Sequence, residues 1–270
     1  MYAIVSFPIC PLYLRPSTQC ELADEALLGW RVEILDDATP GWYHVRTDYG
    51  YTGYAPAHAL TVGDGNAKRW EALTRRTVLR GLCSVRSEPR VQGWQVCQLT
   101  RGASVAVHGE PNDGGWQRVS LPDGREGYTK AGFLFDIPQL NEEEALRSHI
   151  VSMARLYMDT HYLWGGKTPL GIDCSGLTFM AYRLSGVTIW RDASIKEGYP
   201  LHAIDRSKIG PGDLLFFPGH VALYLGDGRY IHSTARNGSD GVAVNSLDPA
   251  HDDFRQDLLE KITSIGSLFS

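Results

Sequence analysis

The chain has five cysteines, at positions 10, 20, 83, 97 and 174, and one of them stands in a setting suited to nucleophilic chemistry. Cys174 lies in Gly171-Ile172-Asp173-Cys174-Ser175-Gly176, where small neighbours leave the backbone open to a reacting group, directly before an apolar helical run. A thiol attacks as its thiolate, and its pKa falls at the positive end of a helix or beside an imidazolium. The other four cysteines show no CxxC pair and no Cys/His spacing of the zinc-site kind, and they read as buried small hydrophobes in strands. No disulfide, metal or organic cofactor is needed to account for them.

A cysteine nucleophile requires a base. His220 opens the apolar run Val221-Ala222-Leu223-Tyr224-Leu225, and the strand after it carries His232. If Gly226-Asp227-Gly228 is a three-residue hairpin loop, Leu225 opposes Arg229 and Ala222 opposes His232. Period-two alternation then places both histidines on one face as diagonal neighbours, roughly 7–8 Å apart at the backbone. Such a pair suits a base and a third group that fixes its tautomer and orientation.

The elements that must position these groups follow from periodicity. Asn141 is expected to cap a helix whose Leu146, Ile150, Met153 and Tyr157 share one core-facing stripe. After Trp164-Gly165-Gly166, a second helix fits Cys174 to Leu184, with Leu177, Met180, Ala181 and Leu184 inward and Gly186 just past its end. Strands follow at Leu214 to Phe217, Val221 to Leu225, Arg229 to Ser233 and Val242 to Asn245, an α+β order. The first half instead alternates in short runs broken by turns, as in Val32-Glu33-Ile34-Leu35 and Val105-Ala106-Val107. It also repeats itself: Gly41-Trp42-Tyr43-His44-Val45, then Gly53-Tyr54 and Leu60, is echoed by Gly115-Trp116-Gln117-Arg118-Val119, then Gly127-Tyr128 and Leu134. Two copies of one small barrel are expected.

Bulk properties narrow the function. With 270 residues, 43% hydrophobic and 21% charged, two or three domains are expected. A net charge of -5 and the lack of a Lys/Arg run speak against a nucleic-acid partner. No stretch of about 18 apolar residues marks a membrane span. The N-terminus has no Lys or Arg before Arg15, and Pro8 and Pro11 interrupt its apolar stretch, so no export signal is read and a cytoplasmic location is expected.

Residues 1–62 and 76–136 resemble bacterial SH3-like domains, each with an Arg near Pro and Ser (Arg15-Pro16-Ser17; Arg86-Ser87-Glu88-Pro89) before its repeat. Residues 141–270 resemble the NlpC-type cell-wall peptidases in five ordered blocks. These are Tyr162-Leu163-Trp164-Gly165-Gly166, Asp173-Cys174-Ser175-Gly176-Leu177, Pro211-Gly212-Asp213-Leu214-Leu215-Phe216-Phe217, His220-Val221-Ala222-Leu223-Tyr224-Leu225-Gly226 and Tyr230-Ile231-His232-Ser233. The resemblance implies a multidomain chain, two all-β SH3-like barrels followed by an α+β papain-like domain. It implies Cys174 as nucleophile, His220 as base, His232 as orienting residue and Tyr162 as an oxyanion donor. It also implies that Asp173, Ser175 and Trp164 meet substrate. The SH3-like repeats resemble those of γ-D-glutamyl-L-diamino-acid endopeptidases, which act on murein-derived peptides with a free N-terminal L-alanine. That resemblance points to Glu21 and Tyr51 as residues closing the substrate site. Ile189-Trp190-Arg191-Asp192-Ala193-Ser194 is similar to a further family motif, with Trp190 where Pro is usual, and points to Asp192. Two alternatives are carried: an amidase or acyltransferase on the same fold, and a wall-binding protein without turnover.

Overall fold

The computed structural model describes residues 1–269 and forms two compact units that part between Ile137 and Pro138. The first unit contains β1 (Tyr2–Val5), β2 (Ile9–Tyr13), β3 (Leu22–Leu27), β4 (Arg31–Asp36), β5 (Trp42–Thr47), β6 (Thr52–Pro56) and β7 (Leu60–Val62). Helix α1 (Asp64–Glu71) leads to β8 (Arg75–Val78), β9 (Leu82–Arg86), β10 (Gln95–Thr100), β11 (Ser104–His108), β12 (Trp116–Ser120), β13 (Glu126–Lys130) and β14 (Leu134–Phe135). The two sheets run β3-β2-β6-β5-β4-β1-β7 and β10-β9-β13-β12-β11-β8-β14, so the sequence echo is a repeated topology.

Equivalent glycines show why the echo is needed. A Cβ at Gly53 of β6 would lie 2.9 Å from Leu12 of β2, and one at Gly127 of β13 would lie 2.4 Å from the Arg86 carbonyl oxygen of β9. Both strands cross a neighbour too closely for any side chain. Inside each sheet the alternating apolar residues meet, Val5, Leu12, Val32 and Val45 in one and Val78, Val85, Val105 and Val119 in the other. Cys10, Cys83 and Cys97 are buried among them, as expected of small hydrophobes. Cys20 departs from that expectation, being half-buried with its sulfur accepting from Arg15 Nε at 3.5 Å.

The two repeats share packing. Trp70 of α1 sits among Ile4, Ala67 and Ala106, and its indole N–H donates to the Gly29 carbonyl at 3.0 Å. Trp30 likewise donates to the Gly102 carbonyl at 2.9 Å. Trp70→Ala would empty the apolar seam and orphan a buried carbonyl, so a loss of about 3–5 kcal/mol is expected, read as a lower midpoint in urea denaturation.

The second unit contains α2 (Glu143–Arg155), β15 (Lys167–Thr168), β16 (Gly171–Ile172), α3 (Cys174–Arg183), β17 (His202–Ile204), β18 (Leu214–Phe217), β19 (His220–Gly226), β20 (Arg229–Thr234), β21 (Gly241–Ser246), α4 (Gln256–Leu259) and β22 (Ser264–Ser267). Six strands form an antiparallel sheet in the order β17-β22-β18-β19-β20-β21. Helix α3 packs between α2 and the strands β19 and β20.

Three local expectations change. Glu142 rather than Asn141 precedes α2, and no side chain caps it. The α2 stripe itself is present, with Ile150, Met153 and Tyr157 buried and Leu146 half-buried. Helix α3 is buried on every side from Cys174 to Tyr182 rather than along one face, because helix and sheet both cover it. The hairpin loop has two residues, not three. Gly226 pairs with Arg229, and Asp227 and Gly228 take φ of 50° and 72°, the left-handed pair of a type I′ turn. A bulge between Tyr224 and Gly226 absorbs the odd residue, so Leu223 opposes Ile231, the offset a three-residue loop would have given.

Candidate active site

The position of Cys174 is set by the residue before it. Asp173 is the N-cap of α3, its Oδ1 accepting from the Gly176 N–H at 2.6 Å. Its Oδ2 accepts from the Gly165 N–H at 2.8 Å, which ties the Trp164-Gly165-Gly166 turn to the helix. Arg191 completes the set with Nη1 at 3.0 Å from Oδ1 and Nη2 at 3.1 Å from Oδ2. The same Nη1 donates to Ser175 Oγ at 2.7 Å. Arg191 is 1% exposed, among the most buried side chains described. An Asp directly before a helix start is a preferred N-cap residue. The cationic partner of Asp173, 18 residues downstream, is marked by no local pattern.

Cys174 therefore starts the helix and is only 7% exposed. The thiol meets the backbone N–H of Val221, the residue following His220. Burial pushes it up to about 11, with the Asp173 charge adding to the rise and the Val221 N–H and Arg191 opposing it. This corrects the expectation of a lowered thiol pKa, since desolvation and the Asp173 charge prevail over the Val221 and Ser175 N–H groups.

Across the sheet, His220 Nε2 and His232 Nδ1 are 2.8 Å apart, with ring centroids 5.0 Å apart and nearly perpendicular. His232 Nε2 in turn lies 3.0 Å from Asn245 Oδ1. Asn245 of β21 pairs with Tyr230 in the ladder and was not singled out from sequence; its signal is a polar side chain among Val242, Ala243 and Val244. Burial, then the Arg255 guanidinium, pushes His220 down to about 4. His232 is pushed down to about 3, by burial first and then by His220, against the Asn245 hydrogen bond. Burial thus favours the neutral form of both rings.

Tyr162 lies half-buried in a bridge beside Ile172. Burial and the nearby Cys174 and Asp173 raise its phenol to about 12, so it remains a donor. Trp164 is 58% exposed next to this turn. Asp192 is exposed immediately after the buried Arg191. Glu21, exposed, and Tyr51, half-buried, belong to the first unit. No group of three or more His, Cys, Asp or Glu side chains suited to a metal exists among the described residues.

Comparison with known proteins settles the family. Residues 159–256 match the NlpC/P60 family, residues 80–135 the bacterial SH3 domain and residues 12–60 the bacterial dipeptidyl-peptidase Sh3 domain. Over all of its length the chain is 41% identical to dipeptidyl-peptidase 6 of Lysinibacillus sphaericus, which it also covers completely. The chain belongs to the NlpC/P60 family. It is a cysteine-type peptidase, a hydrolase, carrying two bacterial SH3 domains. A γ-D-glutamyl-L-lysine dipeptidyl-peptidase of Bacillus cereus is 28% identical over 79% of this NlpC/P60 chain and 67% of its own. A solved NlpC/P60 structure from Bacillus cereus has the same fold, with a TM-score of 0.81, 20% identity and 98% of each chain covered.

Two outcomes follow from this geometry. Arg191→Met would leave the Asp173 carboxylate buried and unpaired, so stability is expected to fall by about 3–5 kcal/mol and hydrolysis with it, measured by denaturation and turnover. The histidines bear on pH. In the unfolded chain they bind protons near 6.5, while the native rings resist protonation to about 4 and about 3. Their contribution is thus intact above pH 6.5 and is lost as pH falls toward 4. Urea midpoints at pH 7 and pH 4.5 test this, and His232→Asn should flatten the difference.

Proposed function

We propose that this peptidase cleaves the bond between γ-D-glutamate and the diamino acid in short murein peptides with a free N-terminal L-alanine, with Cys174 as nucleophile and His220 as base. The observation that carries this reading is the pairing of His220 with His232 at 2.8 Å, with the Cys174 thiol against the adjacent Val221 N–H. Two relatives whose names specify dipeptidyl-peptidase activity, one of them on γ-D-glutamyl-L-lysine, support the substrate class.

With a thiol near 11 and an imidazole near 4, the resting pair is neutral. Proton transfer from Cys174 to His220 therefore accompanies attack on the γ-carbonyl instead of preceding it. The oxyanion is met by the Tyr162 hydroxyl and the Cys174 N–H. His220 returns the proton to the departing amine as the C–N bond breaks, leaving a thioester. Water then attacks, giving its proton to His220, and the sulfur leaves as the thiol on receiving that proton. The products are L-Ala-γ-D-Glu and a diamino acid or a peptide that begins with it.

Ser175, held by Arg191 at 2.7 Å, and the exposed Trp164 are assigned to the substrate's N-terminal dipeptide. Asp173 acts there through the turn and helix it joins, because its oxygens already accept from Gly165, Gly176 and Arg191. Asp192 is assigned to the same site's rim. Glu21 and Tyr51 are assigned to the peptide's free ammonium, a carboxylate there rejecting chains whose amine is acylated. Consumption of free-amine fragments fits recycling of wall peptides, and five unpaired cysteines fit a reducing, cytoplasmic location.

Cys174→Ala should abolish turnover while leaving the thermal midpoint within a few degrees of wild type; retained hydrolysis would remove the proposal. Mass spectrometry of products from L-Ala-γ-D-Glu-diamino acid tripeptides, free and N-acetylated, tests the substrate. Cleavage confined to the free amine is the expected result, and Glu21→Gln should narrow the preference.

A further inference from the structure

A line of hydrogen bonds leads away from the two histidines and ends on the main chain. Asn245 Nδ2 lies 3.1 Å from the backbone carbonyl oxygen of Asp253. A carbonyl oxygen only accepts, so the amide's NH2 must face it, and the orientation of the Asn245 amide is fixed. Its Oδ1 then faces His232 Nε2 at 3.0 Å, and this nitrogen must carry the hydrogen. A neutral imidazole has one N–H, so His232 Nδ1 is bare and accepts from His220 Nε2 at 2.8 Å. His220 has spent its own hydrogen there and keeps Nδ1 as its acceptor. The opposite assignment would set the lone pair of His232 Nε2 against that of Asn245 Oδ1.

The carbonyl at the end of the line is itself held. It also accepts the Ser246 N–H at 3.1 Å, and the Asp253 carboxylate accepts from Arg229 Nη1 of β20 at 2.8 Å. The segment after β21 is thereby tied to β20 and to the edge strand β21.

We propose that Asn245 is a positioning residue that, anchored on the Asp253 carbonyl, imposes the Nε2–H tautomer on His232 and through it on His220, so that Nδ1 of His220 is the atom that takes the thiol proton. This rests on the reading of Cys174, His220 and His232 as the catalytic group. The tautomers themselves, however, are read without any turnover.

Long-range 1H–15N correlation spectra of the intact protein near neutral pH are expected to show both imidazoles as Nε2–H tautomers. A protonated Nδ1 on either ring in the wild type overturns the proposal, whatever the enzyme's substrate. Asn245→Leu removes the acceptor at similar volume, and His232 should then populate both tautomers while kcat falls about 10- to 100-fold at nearly constant KM. Asn245→Asp keeps an acceptor toward His232 Nε2 and should retain the tautomers and recover most of kcat. Equal losses in the two variants, or unchanged tautomers in Asn245→Leu, would show that the amide serves the fold alone. Should the spectra show the expected tautomers while the protein leaves γ-D-glutamyl peptides uncut, the hydrogen-bond line stands and the substrate assignment falls.

Discussion

The second unit is organised around one carboxylate. Asp173 accepts from the first turn of α3, which begins at Cys174, from the glycine turn that carries Trp164 and Tyr162, and from the guanidinium of Arg191. Those three segments are distant or differently folded in the chain, and this side chain joins all of them. Glycine makes the junction possible. A Cβ at Gly176 would stand 2.2 Å from the Gly166 carbonyl oxygen, and one at Gly166 would stand 2.5 Å from that of Gly171. The small residues around the cysteine thus serve close backbone approach, which also leaves room beside the sulfur.

A buried Asp–Arg pair gains little net stability over well-packed apolar groups, because desolvation offsets the attraction. Its role here is positional. Arg191 neutralises the carboxylate without placing an unbalanced charge beside the sulfur. Burial first, with Arg255, held bidentately by Asp257 at 2.7 Å on each oxygen, as a smaller influence, disfavours charge on the histidines. The resting site is therefore a set of neutral, oriented donors and acceptors. In the proposed reaction, charge is created only as it proceeds, where preorganised dipoles are most effective.

What could be read from sequence was whatever period or local chemistry encodes. The repeat of Gly-Trp and Gly-Tyr segments disclosed two copies of one sheet, and alternation along β19 and β20 brought His220 and His232 to one face. The bulge at Leu225 could not be read, because it reflects the preference of Asp227-Gly228 for a two-residue turn over the register that alternation demands. Arg191 and Asn245 were missed for a related reason. Each gains its meaning from partners reached through the fold, the first 18 residues from Asp173 and the second bridging a strand to the loop beyond it. The direction of the thiol's pKa was misread because burial, together with the Asp173 charge, outweighs the Val221 and Ser175 N–H groups that face the sulfur.

The burial of α3, which begins at Cys174, has a bearing on endurance. Peroxides and other electrophilic oxidants attack thiolates that are open to solvent, and sulfenic acid is the first step toward irreversible loss. Cys174 is almost wholly enclosed and its burial raises the thiol's pKa, so in the proposed reaction the sulfur is shielded from such damage until an acyl group is at hand to receive it.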